Sequence, residues 1–168
     1  PSDRRWLEPL HGAPLQHLAE AALAVRAADP RLDADLALHE AAGQIDWPAA
    51  AAAKWQWIGR LPAWLQTHRP GHWQLIESEI AAYGAPLASW ASHTAALSRT
   101  PASVQAFGQW LVQSSWHQVQ RDARERGMAI GLIADLAIGF DPAGVEAHDN
   151  AGAVLQGLEL GAPPDAFN

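Results

Sequence analysis

The sequence contains no cysteine, and it has only one methionine and one tyrosine among its 168 residues. A chain without cysteine can form neither a disulfide framework nor a thiolate metal site. The lack of cysteine is compatible with the reducing cytoplasm, where we expect this protein to act. No apolar run approaches the roughly 18 residues of a membrane span, and no apolar stretch of a signal peptide follows the first residues. We therefore expect no membrane association.

Charged residues are also few, at 17% of the chain, and their sum is a net charge of −7. The densest basic stretch, Arg121, Arg124 and Arg126, is interrupted by Asp122 and Glu125. A nucleic-acid-binding surface normally needs a basic patch or stripe, so we expect no nucleic-acid partner. The hydrophobic content of 49% indicates globular material rather than a disordered tail. The length fits one domain or part of a larger one, and the missing initial methionine suggests a longer protein.

Eight histidines invite a search for a metal site. His68 and His72 are four residues apart, but Pro70 and Gly71 lie between them and break the helical register that would point both rings at one ion. We expect neither a metal nor another cofactor.

Helical spacing and capping residues predict a mostly helical chain as far as Gly127. A first helix over Pro14–Ala28 should stop at Asp29-Pro30, and the stretch 32–43 has no clear pattern and is assigned to an irregular linker. Four further helices are predicted: one from the Asp46 cap to about Arg60, where Pro62 bends or breaks it, one over His72–Tyr83, one over Leu87–Ser98, and one from the Thr100 cap to Gly127.

The run Met128–Phe140 differs from everything before it, because it is almost continuously apolar and lacks alternation. Such a run after a helix and its glycine is typical of a parallel strand covered on both faces. Its only charged residue is Asp135, which must be paired, hydrogen-bonded or near a surface. From position alone, Asp135 is as well explained by a structural bond to the following loop as by a binding role. The Pro-rich segment 161–168 is by its composition most simply a surface loop.

Four stretches resemble the bacterial 4-α-glucanotransferases of glycoside hydrolase family 77. The most specific are 127–139, GMAIGLIADLAIG, and 157–165, GLELGAPPD, which match the family's strand "GMxIGLxxDLAVGV" and loop "GAPPD". The segments 1–11, PSDRRWLEPLH, and 45–55, IDWPAAAAAKW, are similar to the family's "PSxRxxLNPL" and "IDWPAVAAxKW". Their order and spacing fit, so the resemblance extends over nearly the whole chain.

The resemblance implies an α/β fold class: a fragment of a (β/α)8 TIM barrel, made of a predominantly helical insertion and one parallel barrel strand. Residues 1–11 would end a preceding barrel segment, and 12–100 would form the helical insertion subdomain. Residues 101–168 would supply a barrel helix, the third barrel strand at Met128–Phe140 and a substrate-covering loop.

The resemblance also implies a function and site residues. The family transfers segments of α-1,4-glucans between maltooligosaccharides by a retaining double displacement, with an aspartate nucleophile and a glutamate acid/base. Asp135 matches the family's sugar-contacting strand-end aspartate. The expected loop over the bound glucan contributes Pro163, Pro164, Asp165 and Phe167. Both catalytic carboxylates would lie on later strands, so we expect no catalytic residue in this chain and no activity from it alone.

A different function class also fits the residues. Nine tryptophans are many for one chain, and indole rings either fill helix–helix contacts or stack on sugar faces. The alternative is therefore a non-catalytic helical domain that binds carbohydrate or another protein through exposed Trp64, Trp73 or Trp90. This alternative explains the helices without requiring partner strands outside the chain, but it does not explain an apolar run with an internal aspartate.

Overall fold

The computed structural model describes residues 13–133, 139–155, 157–158 and 161, with side chains from residue 17 onward. The chain divides into two compact units, Pro1–Leu132 and Ile133–Asn168, and each is described by itself. In the described part of the first unit, six helices follow one another: α1 (Ala13–Ala28), α2 (Pro30–Ala41), α3 (Trp47–His68), α4 (Pro70–Ala82), α5 (Gly84–Ser98) and α6 (Ala102–Glu125). The second contains the short helix α7 (Val145–Asp149).

Two aspartates begin helices in this unit. Asp29 Oδ1 accepts hydrogen bonds from the backbone N–H groups of Arg31 and Leu32, each at 3.1 Å, and so caps α2. Asp46 caps α3 in the same way, through Ala49 N–H at 3.1 Å. The expected linker at 32–43 is therefore wrong over most of its length. Asp29-Pro30 ends α1, but the same pair is also a good helix start, because the carboxylate satisfies free N–H groups and proline needs no bond there.

Helix α3 continues past Pro62 to His68, so the predicted end near Arg60 is also wrong. Proline at this position removes one backbone hydrogen bond. The turns around it carry Leu61 and Leu65, both 0% exposed, on the face that packs into the core. Burial of each leucine is worth about 2 kcal/mol, which offsets the lost bond.

Helix α6 begins one residue later than predicted, since Pro101 rather than Thr100 occupies the cap position. Its end is as expected. Gly127 adopts a φ of +93°, and its N–H bonds to Arg124 O at 3.0 Å. The Met128 N–H reaches Ala123 O, also at 3.0 Å. This pair of bonds is a Schellman motif, which satisfies the last carbonyls of the helix.

The core of the first unit lies where α1, α3, α4 and α6 meet. Leu18, Leu61, Ile76 and Phe107 are among its fully buried members. Five tryptophans lie in or against this core, namely Trp55, Trp57, Trp64, Trp73 and Trp110. Most indole rings of the described chain therefore fill helix–helix contacts.

One close approach between α3 and α6 depends on a glycine. A Cβ atom at Gly108 would lie 2.8 Å from two ring atoms of Trp55, closer than real Cβ contacts come. Gly108 therefore lets the Trp55 ring pack directly on the backbone of α6.

In the second unit, a turn precedes α7. Asp141 accepts a bond from the Ala143 N–H on its side chain at 2.9 Å, and from the Gly144 N–H on its backbone carbonyl at 2.8 Å. Asp141 thus organises the turn from which α7 begins.

The predicted barrel strand is not formed in the described part of the chain. Residues 128–133 and 139–140 are neither helical nor in a strand, and the described residues contain no β-sheet. The α/β barrel-fragment assignment is therefore wrong for this chain, because helices are the regular structure of its described residues. A parallel strand exists only through bonds to neighbouring strands. Apolar composition predicted burial of the run, but Met128 is 52% and Ile130 67% exposed.

Across the helices of residues 13–133 and 139–155, none combines the length and apolar character that a bilayer crossing demands.

Candidate functional site

The residues predicted to hold the sugar are Asp135, Pro163, Pro164, Asp165 and Phe167. All of them lie outside the described residues. Their proposed role therefore stays a prediction. The structure does describe residues 126–133, which follow α6 and precede Asp135 in the sequence. The contacts of this segment are the described part of the candidate site.

The segment after α6 is held mainly by the side chain of Gln120. The Gln120 Nε2 atom donates to Ile130 O at 3.1 Å, and Gln120 Oε1 accepts from the Leu132 N–H at 2.6 Å. A second, longer bond of 3.4 Å joins Arg124 Nε to the same Ile130 carbonyl. We call these bonds the Gln120 clamp.

The clamp has the pattern of a parallel sheet although no sheet is present in the described residues. In a parallel ladder, one residue of a neighbouring strand donates to the carbonyl of residue i−1 and accepts from the N–H of residue i+1. Gln120 does the same on either side of Gly131, using its carboxamide in place of a peptide group. The amide therefore satisfies two backbone groups that would otherwise need a strand or water.

Gly131 makes this approach possible. It has a φ of +82°, and a Cβ there would lie 2.6 Å from Gln120 Oε1 and 2.8 Å from Nε2. The backbone conformation therefore favours glycine, and a Cβ at this position would displace the Gln120 amide. In the sequence, Gly131 is only one residue of an apolar run, and nothing there predicts its positive φ. No pattern pointed to Gln120, because glutamine is an ordinary helix residue and its partners are backbone atoms.

The histidines form no metal centre in the part of the chain that is described. Groups of three or more histidine, aspartate or glutamate side chains suited to a metal are absent from the described residues. His68 ends α3, where its ring stacks on Trp64 with centroids 4.5 Å apart. His72 lies on α4, with its ring 4.8 Å from that of His17. The break at Pro70 does place the two histidines on different helices, as predicted.

The three tryptophans of the alternative function have different surroundings. Trp64 is partly buried beneath His68. Trp73 packs toward Phe107, with centroids 5.8 Å apart, and its buried Nε1 has no hydrogen-bond partner among the described residues. Trp73 also lines an open groove of about 510 Å³ formed by α3, α4 and α6. Trp90 borders a second groove, between α5 and α6, and unlike Trp64 and Trp73 it is not packed against the core cluster.

Comparison with known proteins adds the family. The profile of the 4-alpha-glucanotransferase family, glycoside hydrolase family 77, matches residues 63–168, which is more than half of the chain. The match contains the apolar run, the Gln120 clamp and the Pro-rich segment.

Curated relatives match over a shorter stretch. Proteins named 4-alpha-glucanotransferase from Mycobacterium bovis and Mycobacterium tuberculosis are 40% identical over 60 residues, which is 36% of this chain and 8% of theirs. The chain thus aligns with a small part of those relatives. No solved structure matches it significantly. The family profile, together with these relatives, shows that the chain belongs to the 4-alpha-glucanotransferase family.

Proposed function

We propose that the protein transfers segments of α-1,4-glucan between maltooligosaccharides with retention of configuration. The family match over residues 63–168 is the observation that carries this proposal. A retaining transfer proceeds through a covalent glycosyl-enzyme, formed by a carboxylate nucleophile and resolved by a sugar hydroxyl with the help of an acid/base residue. We expect both catalytic carboxylates in a part of the protein outside these 168 residues, and the site of action in the cytoplasm.

Within this proposal, the present chain supplies contacts to the sugar. Asp135 would hydrogen-bond the glucosyl unit next to the cleaved bond, and Pro163, Pro164, Asp165 and Phe167 would cover the bound glucan. A cover suits the chemistry, because the acceptor must be a sugar hydroxyl and water must be kept away from the intermediate.

The test is Asp135→Asn in the full-length protein, with Glu146→Gln as the matched control. Glu146 is an exposed carboxylate on α7, so its replacement removes the same charge from a nearby segment. A carboxylate bond that strengthens in the transition state is worth about 3 kcal/mol, so Asp135→Asn should lower kcat roughly 100-fold. The melting temperature should change little, and the control should keep its activity.

The measurement is glucose release from maltotriose, alongside thermal unfolding followed at 222 nm. If Asp135→Asn unfolds the protein and activity falls only in proportion to the folded fraction, Asp135 is a structural residue. If the folded variant transfers at the wild-type rate, the sugar contact is wrong.

A second candidate function, that of a non-catalytic helical domain that binds carbohydrate or another protein, is favoured by the helical core of residues 13–132. This unit buries its own leucines and aromatics, so it has what a self-standing binding module requires. The 168-residue chain, expressed alone, would then melt cooperatively as a monomer. Insolubility of the chain on its own would count against the module.

A further inference from the structure

A groove between the start of α5 and the middle of α6 is lined by three aromatic side chains, two glutamines, Pro86 and Leu87. It has a volume of about 240 Å³ and lies within the first unit. Tyr83 and Trp90 border it from the α5 side, and Gln109, Trp110 and Gln113 from α6. This volume is slightly below the about 300–1,000 Å³ of pockets for drug-sized ligands, so the groove suits one ring of a longer ligand.

One aromatic ring of the groove is held in place by a hydrogen bond, and two others are accessible to a ligand. Trp110 is 1% exposed, and its Nε1–H donates to Glu79 Oε2 at 2.7 Å, which fixes the ring at the base. Tyr83 is 41% exposed and Trp90 is partly exposed, so both can meet a ligand. The electron-rich face of such a ring attracts the C–H groups on the face of a pyranose.

The polar groups of the groove are carboxamides. Gln109 is exposed on the rim, whereas Gln113 is partly buried, with its Nε2 atom 3.1 Å from His117 Nε2. A carboxamide both donates and accepts hydrogen bonds, as a pair of sugar hydroxyls does. No charged side chain is among the described residues that line the groove. Its ligand is therefore expected to be neutral.

We propose that this groove binds a glucosyl unit of an α-1,4-glucan, with Trp90 and Tyr83 as stacking surfaces and the two glutamines as hydroxyl partners. The proposal rests on the proposed function for the identity of the glucan, and it adds a contact that helps the protein hold long chains. A proline-rich peptide also docks in aromatic-lined grooves, but it does so as an extended helix that spans several residues. A short, amide-rimmed hollow favours the sugar.

The test uses the 168-residue chain and maltoheptaose, with binding measured by calorimetry. Trp90→Ala should weaken binding about tenfold, since it removes a stacking surface and its buried area. Gln109→Ala removes an exposed rim side chain with little risk to folding and should weaken binding severalfold. Trp116→Ala is the matched control, because Trp116 is 56% exposed on the same helix and does not line the groove. Circular dichroism confirms that each variant is folded.

Each outcome decides one question. Weaker binding in both groove variants, with the control unchanged, supports the groove. Absence of maltoheptaose binding, equal binding by wild type and Trp90→Ala, or preference for a polyproline peptide refutes it. Transfer from maltotriose by the full-length protein is assayed separately. Loss of the proposed function therefore appears as absent transfer, and loss of the groove proposal as unchanged binding in the variants.

Discussion

Replacement of Gly131 by alanine tests the Gln120 clamp most directly. Two costs are expected. A left-handed backbone costs an L-residue about 1–2 kcal/mol, and the new Cβ would lie 2.6 Å from Gln120 Oε1. The amide can swing away because it ends a flexible side chain, but it then loses its bonds to Ile130 O and Leu132 N–H. These bonds are worth about 1 kcal/mol each, so the total cost is about 3–4 kcal/mol.

Gly127→Ala is the matched control. Gly127 has a similar φ of +93°, but a Cβ there meets nothing within 4 Å. It therefore bears the backbone cost alone. The difference between the two variants, about 2 kcal/mol, isolates the clamp.

The assay is hydrogen exchange at the Leu132 amide, followed by NMR. Exchange should be about 30-fold faster in Gly131→Ala than in Gly127→Ala, which corresponds to about 2 kcal/mol of local opening energy. In a Gln120→Ala background this difference should vanish, because no amide remains to be displaced. If the two glycine variants exchange Leu132 equally in the presence of Gln120, the clamp does not hold this segment.

Three further predictions concern the helices. Gly108→Ala should lower the free energy of unfolding in urea by about 1–3 kcal/mol, because its Cβ would overlap the Trp55 ring. Gly59→Ala, whose Cβ would lie 3.6 Å from the nearest atom, should instead raise it by about 0.5–1 kcal/mol through helix propensity. Equal effects of the two variants would contradict the tight contact at Gly108. Pro62→Ala should restore a backbone hydrogen bond within α3 and so raise the free energy of unfolding by up to about 3 kcal/mol, with a higher melting temperature of the protein. A lower melting temperature would mean that the proline ring is needed for packing. The side-chain bond from Arg60 and the backbone N–H of Leu32 hold the pKa of Asp29 below its ordinary value. The Asp29 carboxylate therefore stabilises the fold fully above the unfolded pKa of about 3.9, and this stabilisation is lost as the pH falls through the lower folded pKa. In Asp29→Asn, the loss of helical circular dichroism at 222 nm with falling pH should be less steep than in the wild type. An unchanged pH dependence would disprove the contribution of Asp29.

Local signals predicted the helices well wherever a cap or glycine acts through its neighbours. The Asp46 cap and the Gly127 end of α6 are as expected, since both depend on bonds within a few residues. The pattern at Asp29-Pro30 predicts the end of α1 but not the start of α2, which depends on the bonds of Asp29 to the α2 backbone. The extent of α3 beyond Pro62 depends on burial of Leu61 and Leu65 against other helices, which local spacing does not show.

The apolar run after α6 shows where such reasoning fails. Its composition suggested a strand, but strand formation depends on partners elsewhere, and the clamp by Gln120 follows from where a side chain ends rather than from any spacing. The sequence names Trp90 as a candidate for ligand contact, but the groove beside it depends on glutamines from a second helix, which local spacing does not show. Asp135 and the residues of the Pro-rich segment stay predictions, supported by the family alone.

The clamp also has a consequence for the order in which the chain folds. Its bonds connect residues only 10 and 12 positions apart, whereas the Trp57 Nε1–H that joins α3 to Ala22 O on α1 spans 35 positions. Closing the shorter loop costs about 1 kcal/mol less entropy, and loops of roughly ten residues close within about 100 ns. During synthesis, the end of α6 can therefore fix its own continuation as soon as Leu132 has left the ribosome.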